Sequence, residues 1–373
     1  LHRGEIHVDR IGSCSTSVNG QRLSSGTLRA GDTIMLRDQL VLVCVERPVR
    51  MPPMISFPMD AANSFGLPDA LGMVGESVTA WKLRDDISFV AGAAGHILVL
   101  EESGVGKEVA AHAIHAFSGR GARKLVARSA ATIPDSLIDA ELFGNVGNYP
   151  NPGMRDRPGL IGESDQSALL LDEIGELPPP LQSRLLRVLD NGGEYSRLRE
   201  AKSRKADFRL IAATNRGAVE LKHDFAARFT LRVEIPGMNV RREDIPLLIA
   251  LLLKRAGQTT PDVARRYFEA DDKKFARPRI APNLIAYLVR HTYSLEMHEL
   301  ESLLWKAMLT SPGGFIGLTP DVRAEFEHSE VSEAVKPAEV TQEAVTESVQ
   351  RHDGNITRAA KQLGLKTVTC SNA

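Results

Sequence analysis

The sequence predicts an α/β fold, a parallel sheet sandwiched by helices with a helical lid, preceded by a partial β-sandwich and followed by a partial helix-turn-helix. Three observations carry this. Apolar segments HILVL (His96 to Leu100), ALLLDE (Ala168 to Glu173) and FRLIAATN (Phe208 to Asn215) are spaced by helical stretches after Lys107 and over Leu181 to Leu189. Such continuous apolar strands between helices belong to parallel sheets covered on both faces. Helical apolar spacing then dominates Ile245 to Ala256, Asn283 to Val289 and Glu296 to Leu309, which suits a lid. Residues 1 to about 50 instead alternate short apolar runs with turns, VNG at Val18 to Gly20 and RAGD at Arg29 to Asp32, and read as β-hairpins.

Between these regions Pro48, Pro52, Pro53 and Pro58 block both helix and ladder pairing, which marks a linker ending near Gly66. Pro312, Gly313 and Gly314 close the lid, a charged connector follows, and Thr341 to Leu363 is again helical. The 373 residues carry 46 basic and 47 acidic side chains, so no global positive field holds nucleic acid and any DNA contact is local. Cys14, Cys44 and Cys370 lie far apart without metal-ligand spacing, which argues against a disulfide framework or zinc site. The longest apolar run, Leu247 to Leu253, is too short for a membrane span, and no signal peptide opens the chain; a cytoplasmic location and no membrane partner are expected. The chain opens on Leu1 and stops inside a recognisable pattern, so both ends read as truncated.

The strand HILVL runs into EESGVGKE (Glu101 to Glu108) and then a helix, the context of a phosphate-binding loop. Gly104 and Gly106 let backbone amides approach phosphate oxygens, and Lys107 supplies a point charge to the β- and γ-phosphates. Glu102, Ser103, Val105 and Glu108 complete the expected cradle. Against the general pattern G-x-x-x-x-G-K-[S/T], Glu101 replaces the first glycine and Glu108 the magnesium-holding hydroxyl. A plain glycine-rich turn is the alternative for SGVGK alone. The second site is the strand ending in Asp172 and Glu173, which suits one carboxylate organising Mg2+ and one activating water. An exposed acidic strand end is its plainer alternative, and the two motifs together disfavour both.

With these residues in place, the chain resembles the AAA+ domain of sigma-54-dependent activators. The family pattern includes GESGTGKE, ELFG, LFLDEIGELP, a strand ending ATN, and FRxDLYYRL. Here EESGVGKE is followed by ELFG at Glu141 to Gly144, LLLDEIGELP at Leu169 to Pro178, AATN at Ala212 to Asn215, LKHDFAARF at Leu221 to Phe229 and RREDIPLL at Arg241 to Leu248. The resemblance implies Lys107 on the phosphates of ATP, Asp172 on Mg2+, Glu173 as catalytic carboxylate and Asn215 as first sensor. It implies that Arg228 reaches a neighbouring subunit's nucleotide, hence a homo-oligomeric ring. Taken alone, Arg228 reads as a solvated helix residue.

Several positions depart from the family. NYPNPG at Asn148 to Gly153 stands where the GAFTGA loop would touch sigma-54, and its prolines stiffen the loop, which argues against direct action on sigma-54 RNA polymerase. The asparagine that switches the catalytic glutamate aligns with Ser129, the first arginine of FRxDLYYRL with Lys222, and the second-sensor arginine with His298. Each change weakens a nucleotide-sensing contact. At Glu101 a carboxylate beside polyphosphate is repulsive, so binding without hydrolysis stays open.

The flanks resemble other modules. Residues 1–47 are similar to the closing strands of a forkhead-associated domain, which implies a phosphoprotein partner, with a plain small β-domain as the alternative. Val345 to Leu365 resembles the start of a Fis-type helix-turn-helix, with Asn355 as cap and Ala359, Ala360 and Leu363 packed inward, which implies DNA as partner where that module is complete.

The expected organisation is a partial forkhead-associated-like β-sandwich (1–50), a linker (51–72), the AAA+ α/β nucleotide-binding subdomain (73–238), its lid (239–315), a second linker (316–340) and a truncated helix-turn-helix (341–373). Functionally, the sequence points to an ATP-binding, ATP-hydrolysing transcriptional regulator. A hydrolysis-deficient nucleotide-binding scaffold and a remodelling factor with another target are the alternatives.

Overall fold

A computed structural model describes residues 6–101, 106–149, 152–153, 155–215, 221–269 and 277–333, with side chains described up to Phe326 in the last helix. Residues 341–373, where the helix-turn-helix is expected, lie outside the described residues.

The N-terminal strands are β1 (Ile6–Asp9), β2 (Thr16–Val18), β3 (Gln21–Arg22), β4 (Ser25–Leu28), β5 (Thr33–Leu36) and β6 (Leu40–Val43). They form two antiparallel sheets, β1-β4 and β3-β2-β5-β6. Asn19 and Gly20 both have positive φ (51° and 82°), the conformation a two-residue hairpin with right-handed strand twist demands. The Asn19 side chain also donates to Asp32 Oδ1 at 2.7 Å and accepts from Thr33 N at 3.0 Å, which ties the β2-β3 turn to the start of β5.

Next come α1 (Val78–Gly92), β7 (Ile97–Glu101), α2 (Lys107–Ala116), β8 (Val126–Ser129), α3 (Asp135–Phe143), α4 (Gly159–Glu163), β9 (Ala168–Asp172) and α5 (Pro179–Asp190). A short hairpin, β10 (Glu194–Tyr195) and β11 (Arg204–Lys205), precedes β12 (Arg209–Thr214), α6 (His223–Ala226) and β13 (Leu231–Ile235). Five of these strands form one parallel sheet in the order β13-β7-β12-β9-β8. Side chains alternate faces along a strand. Leu98, Leu169, Leu171, Leu210 and Ala212 therefore enter one core, with Phe143, Leu185 and Phe225 from the helices. Ile97, Val99, Leu170, Ile211, Ala213 and Val233 enter the opposite one, with Leu83, Ile87 and Ile114. The parallel sheet buried on both faces is as the sequence predicts.

The lid comprises α7 (Ile245–Thr259), α8 (Pro261–Tyr267), α9 (Pro282–Arg290), α10 (Glu296–Thr310) and α11 (Pro320–Glu333) around a third core. Helix α11 departs from the connector expected at 316–340. Pro320 sits at its first position, where a missing N–H costs nothing, and Val322 and Phe326, one turn apart, are buried in the lid core. The surrounding charge of this segment masks that short apolar stripe in the sequence.

Lid and sheet are joined by Asp244. Its fully buried carboxylate accepts from Glu76 N (2.6 Å), Ser77 N (2.9 Å) and Ser77 Oγ (2.6 Å), so the residue that opens α7 also holds the start of α1. Ser77 Oγ in turn caps α1 by accepting from Ala80 N. Stranding three such buried donors would cost on the order of 1 kcal/mol or more each. The N-terminal sheet lies against the lid, with Val43 packed on its core and Arg47 paired with Glu243 at 3.1 Å. No helix among the described residues is long and apolar enough to cross a membrane.

His96 enters β7 and accepts a hydrogen bond through Nδ1 from Leu210 N of β12 at 3.0 Å. Burial, then the charges of Arg209 and Arg120, push its pKa down to about 4 from 6.5. The folded chain therefore holds a neutral imidazole while the unfolded chain takes up a proton below about pH 6.5. Stability should be fully present above pH 6.5 and fall as pH is lowered toward 4; denaturant unfolding at successive pH values should show this slope, and His96→Asn should flatten it.

Candidate nucleotide site

Parallel register places the carboxyl ends of β7, β12, β9 and β8 side by side: Ser129 pairs with Asp172, and Thr214 with Leu100. In open parallel sheets the crevice beyond these ends is where ligands bind. Glu101, Ser129 and the consecutive pair Asp172 and Glu173 thus come from three strand ends to one edge, and Lys107 arrives at the N-terminus of α2. Gly106, which precedes that helix, has φ 131°, a conformation open to glycine and strained for other residues. Glu102, Ser103, Gly104 and Val105 lie outside the described residues.

Lys107 Nζ is 3.8 Å from Asp172 Oδ1 and 3.8 Å from Glu101 Oε2. The ammonium is largely buried (13% exposed), the Asp172 carboxylate is open to the cleft (35%), and that of Glu101 is sealed (0%). A cavity of about 280 Å³ lies here, lined by Lys107, Glu108, Arg128, Ser129 and Asp172. Glu173 adopts left-handed φ, 52°, a conformation that costs energy in a non-glycine residue. Its amide donates to Asp172 Oδ1 at 2.8 Å and its carbonyl accepts from Glu176 N at 2.9 Å, so the strained turn is held from both sides. Ser129 Oγ donates to Glu173 Oε2 at 2.6 Å, so the serine at the family's asparagine position grips the expected catalytic carboxylate directly.

A second cavity of about 350 Å³ runs between sheet and lid, where His298 and Arg255 face Gly106 and Glu108. His298 is exposed on α10, across the cleft from the start of α2. Asn215 follows β12, is exposed, and lines a separate depression with Leu100 and Glu101. Arg228 lines neither nucleotide-side cavity; its Nε sits 2.5 Å from Asp190 Oδ1 at the end of α5. Asp190 was not singled out in the sequence. A carboxylate at a helix C-terminus opposes the helix dipole, and that misplacement is the signal that a cation waits nearby. Arg241, the first residue of RREDIPLL, is buried in the cleft wall.

The segment aligned with GAFTGA is tied at its base. Asn145 Nδ2 donates to the carbonyls of Val146, Tyr149 and Arg155, and Gly153 N donates to Asn148 Oδ1 at 2.9 Å. Arg199 stacks over the Tyr149 ring at 5.1 Å. Gly144 and Gly159 touch backbone to backbone beneath it; a Cβ on Gly144 would lie 2.4 Å from Arg157 O.

A five-stranded parallel sheet in this order, a lysine at the start of α2 facing an acidic strand end, and a helical lid across the cleft define an AAA+ module. Residues 73–237 match the model of the sigma-54 interaction domain. The transcriptional regulatory protein ZraR of Salmonella typhimurium is 31% identical over 309 residues, covering 80% of this chain and 67% of its own. The formate hydrogenlyase transcriptional activator of the same species is 31% identical over 310 residues, covering 80% of this chain and 43% of its own. Among solved structures, NtrX from Brucella abortus in complex with ADP superimposes with a TM-score of 0.58 at 26% identity, over 80% of this chain and 67% of its own. Its complex with ATP gives 0.57 at 28% identity, over 79% of this chain and 66% of that one. The chain belongs to the family of sigma-54-dependent activators.

The Arg228–Asp190 pair is half exposed, with the guanidinium side chain 52% accessible. Exposed pairs contribute little to folding, so Arg228→Ala should change unfolding stability by less than about 1 kcal/mol. A larger loss in a denaturant titration would make Arg228 a structural residue.

Proposed function

We propose that this chain binds ATP with Mg2+ in the cleft between sheet and lid and hydrolyses it as the motor of a homo-oligomeric transcriptional regulator. The observation that carries this is Lys107 facing Asp172 at the carboxyl edge of the sheet, with Glu173 next in sequence. NtrX, with the same fold, was crystallised with ADP and with ATP.

In this reading Lys107 neutralises phosphate charge, and the open Asp172 carboxylate is the hard oxygen donor suited to holding Mg2+. When bound, the ion supplies charge neutralisation on the phosphates. Glu173 orients and deprotonates the attacking water once Ser129 releases its Oε2. Asn215 senses the nucleotide from the end of β12, and His298 approaches from the lid. Arg228 leaves Asp190 to reach a neighbouring subunit's nucleotide, where added positive charge stabilises phosphoryl transfer. The N-terminal sheets receive a phosphoprotein partner, and the C-terminal segment contributes to DNA binding.

The second reading is a nucleotide-binding scaffold that does not turn over. It is favoured by the short Ser129–Glu173 bond, which holds the carboxylate away from water activation.

Steady-state phosphate release separates the two. Glu173→Gln should keep ATP binding and lose turnover by about 100-fold or more. Mixing Glu173→Gln with Arg228→Ala subunits should recover part of the activity, because mixed interfaces pair an intact glutamate with an intact arginine. No recovery would remove the trans role, and a parent as silent as Glu173→Gln would select the scaffold.

We also infer that the motor's target is not sigma-54, because the Asn148–Gly153 tie and the prolines restrain the loop that would touch it. Purified sigma-54 should not be retained by the chain trapped with ADP and aluminium fluoride; retention would overturn this.

A further inference from the structure

Outside the cleft, the segment aligned with GAFTGA and the β10-β11 hairpin form one body. Val146 N donates to Leu198 O at 3.3 Å and Leu198 N to Gly144 O at 2.9 Å, while Arg199 lies over the Tyr149 ring. Asn145 Nδ2 draws the carbonyls of Tyr149 and Arg155 together. Arg197 pairs with Asp156 at 2.6 Å, and Arg197 and Arg204 both hold Glu200 at 2.8 Å. Arg157, Arg197 and Arg204 are thus matched by carboxylates of the fold itself. Arg155, Arg199 and Lys202 are exposed on the same body, and among the described residues none of them has a carboxylate within ion-pair distance.

We propose that this surface docks an acidic segment of a partner protein, whose carboxylates seat on Arg155, Arg199 and Lys202. In taking that partner to be what the motor acts on, the proposal rests on the reading that the motor's target is not sigma-54.

The whole chain carries 46 basic against 47 acidic side chains, so a local set of unmatched cations does not follow from composition. Arg199 is held in place against its backbone preference. Its φ is 63°, a conformation that costs energy in a non-glycine residue. The turn that imposes it is closed by Glu200 N donating to Arg197 O at 3.1 Å and by two guanidinium nitrogens of Arg197 on the Glu200 carboxylate. With its own guanidinium over the Tyr149 ring, Arg199 has little freedom left to lose on meeting a carboxylate, and its planar fork can take both oxygens. Nucleic acid fits this surface less well. A duplex presents a phosphate charge about every 1.7 Å of its axis, and the Asp156 carboxylate, 60% exposed, stands next to Arg155 in their path. Tyr149 is half-buried with Arg199 over its ring, so it offers bases no open stacking platform. A peptide spaces its carboxylates along a flexible backbone. It can set one on each cation and pass Asp156 with a neutral residue.

The test is fluorescence anisotropy of the full chain with a labelled peptide of alternating glutamate and glycine, beside its glutamine counterpart. The glutamate peptide should bind at least about tenfold tighter than the glutamine one, and added salt should weaken it. Arg199→Gln alone should weaken it about threefold, the scale of one exposed charge pair, and Arg155→Gln, Arg199→Gln and Lys202→Gln combined about tenfold or more. Arg265→Gln, which removes the same charge from exposed α8, should change it by less than about twofold. Thermal unfolding of each variant should match the parent; if Arg199→Gln does not fold, Arg155→Gln with Lys202→Gln reads the same surface. Equal affinity for the two peptides, an unaltered affinity in the combined variant, or no binding of either peptide overturns the proposal. A single-stranded or duplex oligonucleotide that binds more tightly than the glutamate peptide and is weakened by the same substitutions also overturns it, and makes the surface one for nucleic acid. Retention of sigma-54 by the trapped chain would remove the reading of the motor's target, while the peptide titration decides the surface by itself.

Discussion

Backbone pairing of β12 between β7 and β9 is the constraint on which the site depends. The three strands run parallel, and every side chain of β12 is buried. A one-residue slip would send Leu210 and Ala212 into the wrong core and part the strand ends that carry Glu101, Asp172 and Asn215. The chemistry at the edge is therefore as well positioned as the two cores are packed. Loops carry little of that burden. Even the strained turn at Glu173 is fixed by hydrogen bonds to its own neighbours.

Asp244 does for the lid what β12 does for the sheet. One carboxylate, just ahead of α7, holds the residues just ahead of α1, and Met238 N is held by Glu296 of α10. Arg242 reaches the carbonyls of Val289 and Arg290 at the end of α9. The short segment between sheet and lid is thus bonded on both sides. A change in the angle between them must break specific polar contacts, which gives the cleft definite arrangements rather than a continuous range.

Much of this was legible in the sequence because the strongest signals are local. HILVL, ALLLDE and RLIAAT are continuous apolar runs, and a strand buried on both faces needs nothing else. Strands β8 and β13 were missed. VARS and LRVEI mix charge with apolar residues, since these are the sheet's outer strands and part of each faces solvent. Helix α11 was hidden for the same reason. Among the site residues, Lys107, Asp172 and Glu173 were recognisable by motif, and the Ser129 contact by alignment with a switching asparagine. The pairing of Arg228 with Asp190 was not, because two exposed charges thirty-odd residues apart leave no periodic trace. The character of Glu101 changed as well. Sequence presents it as a repulsion toward phosphate, and the folded chain makes it a partner of Lys107.

The same strand order governs how the chain reaches its fold. Strand β7 lies between β12 and β13, and both neighbours arrive about a hundred residues or more later in the chain. During synthesis Ile97, Leu98 and Val99 are made long before anything can cover their hydrogen-bonding edges. Parallel pairing at such separation is slow, and exposed apolar strands invite wrong partners in the interval. A ribosome pause before residue 209, or truncation there, leaves the least protected species this polypeptide passes through. Demand for chaperones should peak at that point and fall once β13 closes the far edge.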